Sequence, residues 1–356
     1  MPAELAPDPA LADCARHLPK VLLHEHLDGG LRPGTLLDLL RQRGLPSPAE
    51  DVAALGTWFQ ARAHAGNLVE YLRGFGLTVA AMASPEAMRR VAFEAAEDAR
   101  LDNCVLAEFR IAPLLFEPFG IAGEIAVQAQ LDGLAQSSLP TGLIVCAMRH
   151  EPDDHIARAA ALAMQFAGHG VVGFDLAGPE AGWPATRHAA LLAKVRVSGL
   201  GLTLHAGEAD AGERVLEAGR LGATRIGHGV RLADLLSTPT GLAQVDEVRR
   251  MGLHLEVCPT SNVHTGASAS LATHPIRPLW NAGVSLSFHT DNRLISNVSM
   301  SDEAAHLVQQ MGFDWPDLVR MGLQAAAASF LSEASRAQAD RAIREGALVL
   351  GISATP

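Results

Sequence analysis

Gly201-Leu-Thr-Leu-His205-Ala-Gly-Glu208, the following Ala211–Leu221, and then Thr224-Arg-Ile226-Gly227-His228-Gly229 decide the fold. The first piece is a short apolar run of strand length. The second is rich in Ala, Leu, Glu and Arg and reads as a helix. The third is a strand again. A strand, a helix and a strand in so short a span form a βαβ unit, whose two strands are parallel.

The alternation continues in both directions. Candidate strands lie at Lys20–His24, Cys104–Ile111, Gly142–Ala147, Val171–Leu176, Gly201–His205, Thr224–Ile226, Leu253–Val257 and Val284–Phe288. Stretches between them, such as Pro85–Arg100, Asp154–His169 and Arg187–Ser198, read as helices. Eight strands alternating with helices predict a (β/α)₈ TIM barrel. An open doubly wound sheet is the alternative, but no G-x-G-x-x-G follows the first strand. The 356 residues suit one such domain, 1–356, with insertions. The longest insertion, after the first strand at about 29–85, holds helical pieces at Gly34–Arg43 and Leu68–Met82 and is expected to cap the barrel mouth.

Hydrophobic residues make up 48% of the chain and aromatics only 4%, so Ala, Leu and Val must fill the core. A net charge of −11 argues against nucleic acid or an anionic membrane as partner, since both attract a basic face. The four cysteines form no C-x-x-C pair and are expected to be free thiols. The N-terminus shows no signal pattern, and no apolar run is long enough to span a bilayer, so a cytoplasmic location is expected. Nothing in the sequence sets the oligomeric state.

Polar clusters fall at the C-terminal ends of the strands, where barrel active sites are built. The first strand ends in His24-Glu25-His26-Leu27-Asp28-Gly29, and in extended backbone His24 and His26 point the same way. The fifth ends in His205-Ala206-Gly207-Glu208, which places Glu208 on the loop above. The sixth ends in Gly227-His228-Gly229 and the eighth in Thr290-Asp291-Asn292-Arg293. Singly, each cluster reads as well as a turn, or for Asp291 as a helix N-cap. Together, three histidines and a carboxylate at one mouth make an N₃O site suited to zinc with room left for water. His264 and His289 lie near the mouth as possible outer groups. His64, His150, His155, His169, His188, His254, His274 and His306 are assigned ordinary roles.

These stretches resemble the adenosine deaminase branch of the metal-dependent amidohydrolase superfamily. The matching segments are Lys20–Gly29, Val172-Gly-Phe-Asp175-Leu-Ala-Gly178, His205–Glu208, Gly227–Gly229, Glu256-Val-Cys-Pro-Thr-Ser-Asn262 and Thr290–Asn292, in the family's order. The resemblance implies deamination of adenosine and 2′-deoxyadenosine to the inosines and ammonia, with one Zn²⁺ per subunit held by His24, His26, His205 and Asp291. It further implies that Glu208 protonates purine N1, His228 orients the attacking hydroxide, and Asp291 accepts the water proton. Gly178 is implied to meet purine N3, Asp28 the ribose 5′-hydroxyl, and Asn292 purine N7, with His26 also beside the substrate. Much of the family carries Asp at the position of Asn292; Asn donates to N7 in its ordinary state, whereas Asp must first be protonated. Two alternatives stay open: a deaminase of another aminopurine (adenine or a modified nucleoside), and a non-catalytic nucleoside-binding barrel. A binuclear amidohydrolase is disfavoured, because neither Lys20 nor Lys194 ends the fourth strand.

Overall fold

The computed structural model describes residues 8–63 and 74–353. Eight strands run in chain order around one sheet, and every neighbouring pair is parallel. They are β1 (Lys20–His26), β2 (Cys104–Ile111), β3 (Thr141–Met148), β4 (Val171–Ala177), β5 (Gly201–Ala206), β6 (Arg225–His228), β7 (His254–Val257) and β8 (Ser285–Phe288). Helices connect them, and the chain is a (β/α)₈ barrel. The ring closes just beyond β8: His26 N–H donates to the Asp291 carbonyl at 2.8 Å, and Asp291 N–H donates to the His24 carbonyl at 2.9 Å. The seam of the barrel is thus sewn through three of the residues singled out in the sequence.

Strand positions agree with the sequence reading to within a residue or two at each end. The largest differences are two residues: β6 runs on to His228, and β1 runs on to His26, which keeps His24 and His26 on one face of a single extended segment. In the long insertion, helices span Pro33–Gln42, Val52–Ala63 and Phe75–Met82. The second was not foreseen. Of the helix expected over Leu68–Met82, residues Leu68–Arg73 lie outside the described residues. A helix at Pro9–His17 was also missed; Asp8 caps it by accepting from the Ala10 N–H at 2.8 Å.

The barrel interior is charged rather than oily. Glu108 and Arg110 sit two apart on β2 and share a face. Arg225 of β6 donates to Glu108 and to Glu256 of β7, each at 2.6 Å. Arg110 donates to Asp175 of β4 at 2.8 Å and to Glu256 at 2.6 Å. All five side chains are essentially fully buried. Buried charge is tolerable only when paired and hydrogen-bonded, and here each charged group meets an opposite one.

The N-terminal ends of β4 and β5 are closed by Phe330. Its backbone N–H and the Ser329 hydroxyl both donate to Glu108 at 2.6 Å. The Arg225 guanidinium lies 3.8 Å from the ring centroid, a cation–π contact. The ring fills the space where side chains at Gly173 and Gly201 would stand: a Cβ on Gly201 would come within 2.2 Å of it. Gly201→Ala should therefore lower unfolding free energy by about 1–3 kcal/mol, the usual cost of overpacking. Urea denaturation would measure this, and a midpoint equal to wild type would show that Phe330 does not plug the barrel as described.

Candidate active site

The inward faces of β1, β5, β6 and the β8 turn bring the predicted side chains together. One ligand atom from each of His24, His26 and His205 lies within 4.8 Å of the other two, and the same holds for His24, His228 and Asp291. Asp291 Oδ1 is 3.4 Å from His24 Nε2 and 3.5 Å from His26 Nε2. Gly227 makes this crowding possible. A Cβ there would sit 3.0 Å from the His24 ring and 3.2 Å from the His205 ring.

Carboxylates behind the rings fix which nitrogen faces the centre. His24 Nδ1 donates to Glu256 at 2.8 Å, and His205 Nδ1 lies 2.9 Å from Asp175. With Nδ1 engaged, each ring turns Nε2 inward. His24 Nε2 is buried and has no hydrogen-bond partner, an arrangement that would be costly without a ligand. Burial pushes His26 and His205 below the usual histidine range, so both are neutral as metal ligands must be. Burial pushes the Asp291 carboxyl up, but the neighbouring imidazoles of His24, His228 and His26 hold it well below the usual range. Its second oxygen accepts from Ser261 at 2.6 Å. Three imidazoles and a carboxylate, one imidazole nitrogen being orphaned, fit a zinc-like ion.

Above this cluster opens a cavity of about 340 Å³, within the range of small-molecule sites. His26, Asp28, Gly178, His205, Glu208, His228, Asp291 and Asn292 all line it, and His24 lies beneath. Ala112, Leu115, Cys146, Met148 and Ala177 form an apolar wall, and Phe75 and Gly76 reach in from the insertion. Gly178 has φ +89°, a conformation that disfavours any side chain, and a Cβ there would crowd His150 and Met148 at 3.1 Å. Asp28 is 2% exposed, and its Oδ1 has no hydrogen-bond partner. Burial raises its carboxyl to about 7. Burial, aided by Asp291, raises Glu208 to about 8 even though Thr265 donates to it at 3.0 Å.

Several supporting residues were not singled out from sequence. Asp175 and Glu256 lay in quoted motifs without a role; an isolated acid in an otherwise apolar buried strand was the signal available. Glu180 gave no local signal. Its carboxylate accepts from four consecutive backbone N–H groups, of Gly207, Glu208, Ala209 and Asp210, at 2.6–3.1 Å, and so holds the loop that carries Glu208. Arg149 ties β4 to β5 by donating to the carbonyls of Leu176 at 2.6 Å and His205 at 2.5 Å. His289 points away from the cavity to the Leu23 N–H and the Ser287 hydroxyl. All four cysteines are free. Among the described residues no helix is long and apolar enough to cross a membrane.

The family model described as adenosine deaminase matches residues 19–345. An adenosine deaminase from Mycobacterium sp. (strain KMS) is 43% identical over 329 residues, covering 88% of this chain and 90% of that protein. One from Mycobacterium tuberculosis (strain H37Rv) is 42% identical over 332 residues, covering 89% and 90%. Among solved structures, an amidohydrolase from Burkholderia ambifaria with bound zinc superposes with a TM-score of 0.84 at 22% identity, covering 98% of this chain and 97% of that one. An adenine deaminase from Arthrobacter aurescens gives 0.80 at 24% identity, covering 92% and 98%. At such identities the structural matches speak to the fold.

Asp175→Asn should weaken metal binding at this cluster about 10–100-fold, the usual effect of removing a carboxylate behind a ligand imidazole. Competition with a chromogenic chelator would read this, and an unchanged affinity would mean that Asp175 does not orient His205 for a metal.

Proposed function

The chain belongs to the adenosine deaminase family, and from that membership we propose how its own residues divide the work of converting adenosine and 2′-deoxyadenosine to the corresponding inosines and ammonia. It is an enzyme, a hydrolase of the deaminase type. The observation that carries the reading is a carboxyl poised to remain protonated, Glu208, facing the same cavity as a cluster of imidazoles with an orphaned nitrogen.

His24, His26, His205 and Asp291 would hold one zinc ion. Such an ion lowers the pKa of a water ligand towards about 7 and so supplies hydroxide at neutral pH. Every other task falls to the protein. Asp291, ionised and fixed by Ser261, accepts the proton that the water gives up. His228, whose Nε2 lies 3.6 Å from Glu208, orients the water towards purine C6. Glu208 carries its proton at neutral pH and delivers it to N1 as C6 becomes tetrahedral. The Gly178 N–H meets N3 and Asn292 faces N7, while the apolar wall covers the ring faces.

Asp28 supports a nucleoside. Its unpartnered buried oxygen calls for a ligand group, and free adenine has none to offer there. A hydroxyl can donate and accept, so it pairs with either form of a carboxyl that titrates near 7. A phosphate is repelled by the ionised form. A cytoplasmic location follows from this purine-salvage role as part of the proposal.

Glu208→Gln is expected to retain metal while kcat falls by about 10²–10⁴-fold, the usual worth of a positioned general acid. The raised carboxyl is active when protonated, so wild-type kcat should decline as pH rises through about 8. Steady-state rates with metal analysis decide this; near-normal turnover in the variant rules out the role. Asp28→Ala should raise KM for adenosine and narrow its advantage over 5′-deoxyadenosine by about tenfold or more, since a hydrogen bond to a charged group is worth roughly 1.5–3 kcal/mol. The ratio of kcat/KM values for the two nucleosides is the readout, and an unaltered ratio would make Asp28 a turn residue.

A further inference from the structure

His228 belongs to two sets of converging groups. It faces Glu208, and it also lies within ligand distance of His24 and Asp291. Whether it binds a metal or donates a hydrogen bond depends on which ring nitrogen bears the proton. A nitrogen that carries hydrogen has no lone pair to give to a metal. The ring's surroundings settle this through residues that do not line the cavity.

Behind His228 stands Asn262, fully buried in the short helix Pro259–His264 that follows β7. Its amide nitrogen is 3.0 Å from His228 Nδ1, and its oxygen is 3.3 Å from Nε2 of His274. An amide can be turned end for end without changing shape, so its direction must follow from its neighbours. A backbone group supplies the anchor. The Ile276 N–H, which can only donate, donates to His274 Nδ1 at 3.1 Å. Nδ1 of His274 is therefore an acceptor, and the ring proton is on Nε2. Burial pushes His274 down to about 3, which keeps the ring neutral across the working range. The Nε2–H then meets the Asn262 oxygen, and the Asn262 NH₂ is left facing His228. His228 Nδ1 must accept, so its proton sits on Nε2.

We propose that Asn262 and His274 are positioning residues that lock His228 in the Nε2–H tautomer, making it a hydrogen-bond donor into the cavity and barring it from the metal. The catalytic use of that donor rests on the deaminase reading above; the tautomer itself does not. The signal was faint in the sequence, where His274 received an ordinary role and Asn262 only closed a motif.

The test is long-range ¹H–¹⁵N correlation of the histidine rings in the zinc-loaded enzyme, with His228 assigned from the signals lost in His228→Asn. Wild type should show His228 with Nε2 protonated and Nδ1 bare. His274→Gln keeps an N–H donor near the original Nε2 position and should preserve that pattern and most of kcat. His274→Leu frees Asn262 to turn. It should populate the Nδ1–H form and lower kcat by about tenfold or more, up to the roughly 10²–10⁴-fold worth of a positioned proton-transfer group, with a much smaller change in KM. Should the leucine variant fail to fold, Asn262→Asp serves instead: its carboxylate only accepts and should draw a proton onto Nδ1. A wild-type His228 protonated on Nδ1 alone overturns the proposal, as does a His274→Leu or Asn262→Asp protein with unaltered tautomer and kcat. An Nε2–H signal in a protein without deaminase activity would uphold the lock and sink the functional reading, so the two failures are distinguishable.

Discussion

Arg110, held between Asp175 and Glu256, is the interaction on which the rest of the site depends. The two carboxylates would repel each other and resist burial; the guanidinium joins them at 2.8 and 2.6 Å. Each carboxylate then uses its remaining capacity to accept from the Nδ1 of an imidazole of the cluster, Asp175 from His205 and Glu256 from His24. Burial opposes ionisation of both acids, but Arg110 together with His205 on one side and Arg225 on the other keeps them charged. One arginine thereby sets the orientation of two rings that it does not touch. Breaking a buried charge pair costs about 3–5 kcal/mol because the abandoned partner stays buried. In this barrel the abandoned partner would also lose its hold on an imidazole of the cluster.

A second constraint is conformational. His228 and Asp291 both have φ near +60°, the left-handed region that side chains other than glycine rarely occupy. Both lie at the C-terminal rim of the barrel. Their strain is held by the surrounding hydrogen bonds. Asp291 is clamped between the backbones of His24 and His26, and the turn after His228 is pinned by the Gly229 N–H donating to the Ala206 carbonyl at 3.1 Å. Strained backbone of this kind persists only where the neighbourhood over-determines it. Here it turns a carboxylate and an imidazole away from the strand direction and into the cavity.

The cavity itself divides polar from apolar work. Its histidine-lined floor is built from strand ends, which rigid pairing holds in place. Glu208 sits on a loop, yet that loop is nearly as fixed, because the Glu180 carboxylate gathers four of its backbone N–H groups. The same carboxylate adds negative charge near Glu208 and helps to raise its pKa. Glu180 thus fixes the position of the proposed proton donor and adds a smaller part, after burial and Asp291, to its raised pKa.

The fold was legible because each strand is a short apolar run between turn residues, and eight such runs separated by helical stretches admit few architectures. The strand-end positions of His24, His26, His205, His228 and Asp291 were legible too, since a barrel delivers every strand's C-terminal end to one face. The helix at Val52–Ala63 escaped notice because apolar residues such as Val52, Ala53 and Ala54 also occupy its exposed side, so the buried i, i+4, i+8 stripe of Leu55, Phe59 and Ala63 does not stand out. What the sequence could not express is which atom of each side chain is engaged. The Nδ1 of His24 is fixed by a residue 232 positions away, and that of His228 by one 34 positions away. The sequence by itself determined the barrel and the set of groups at its mouth, because periodicity and strand ends are local properties. Only the tertiary structure decided their protonation, tautomer and orientation, because those depend on burial and on partners that folding alone brings within 3 Å or so of one another.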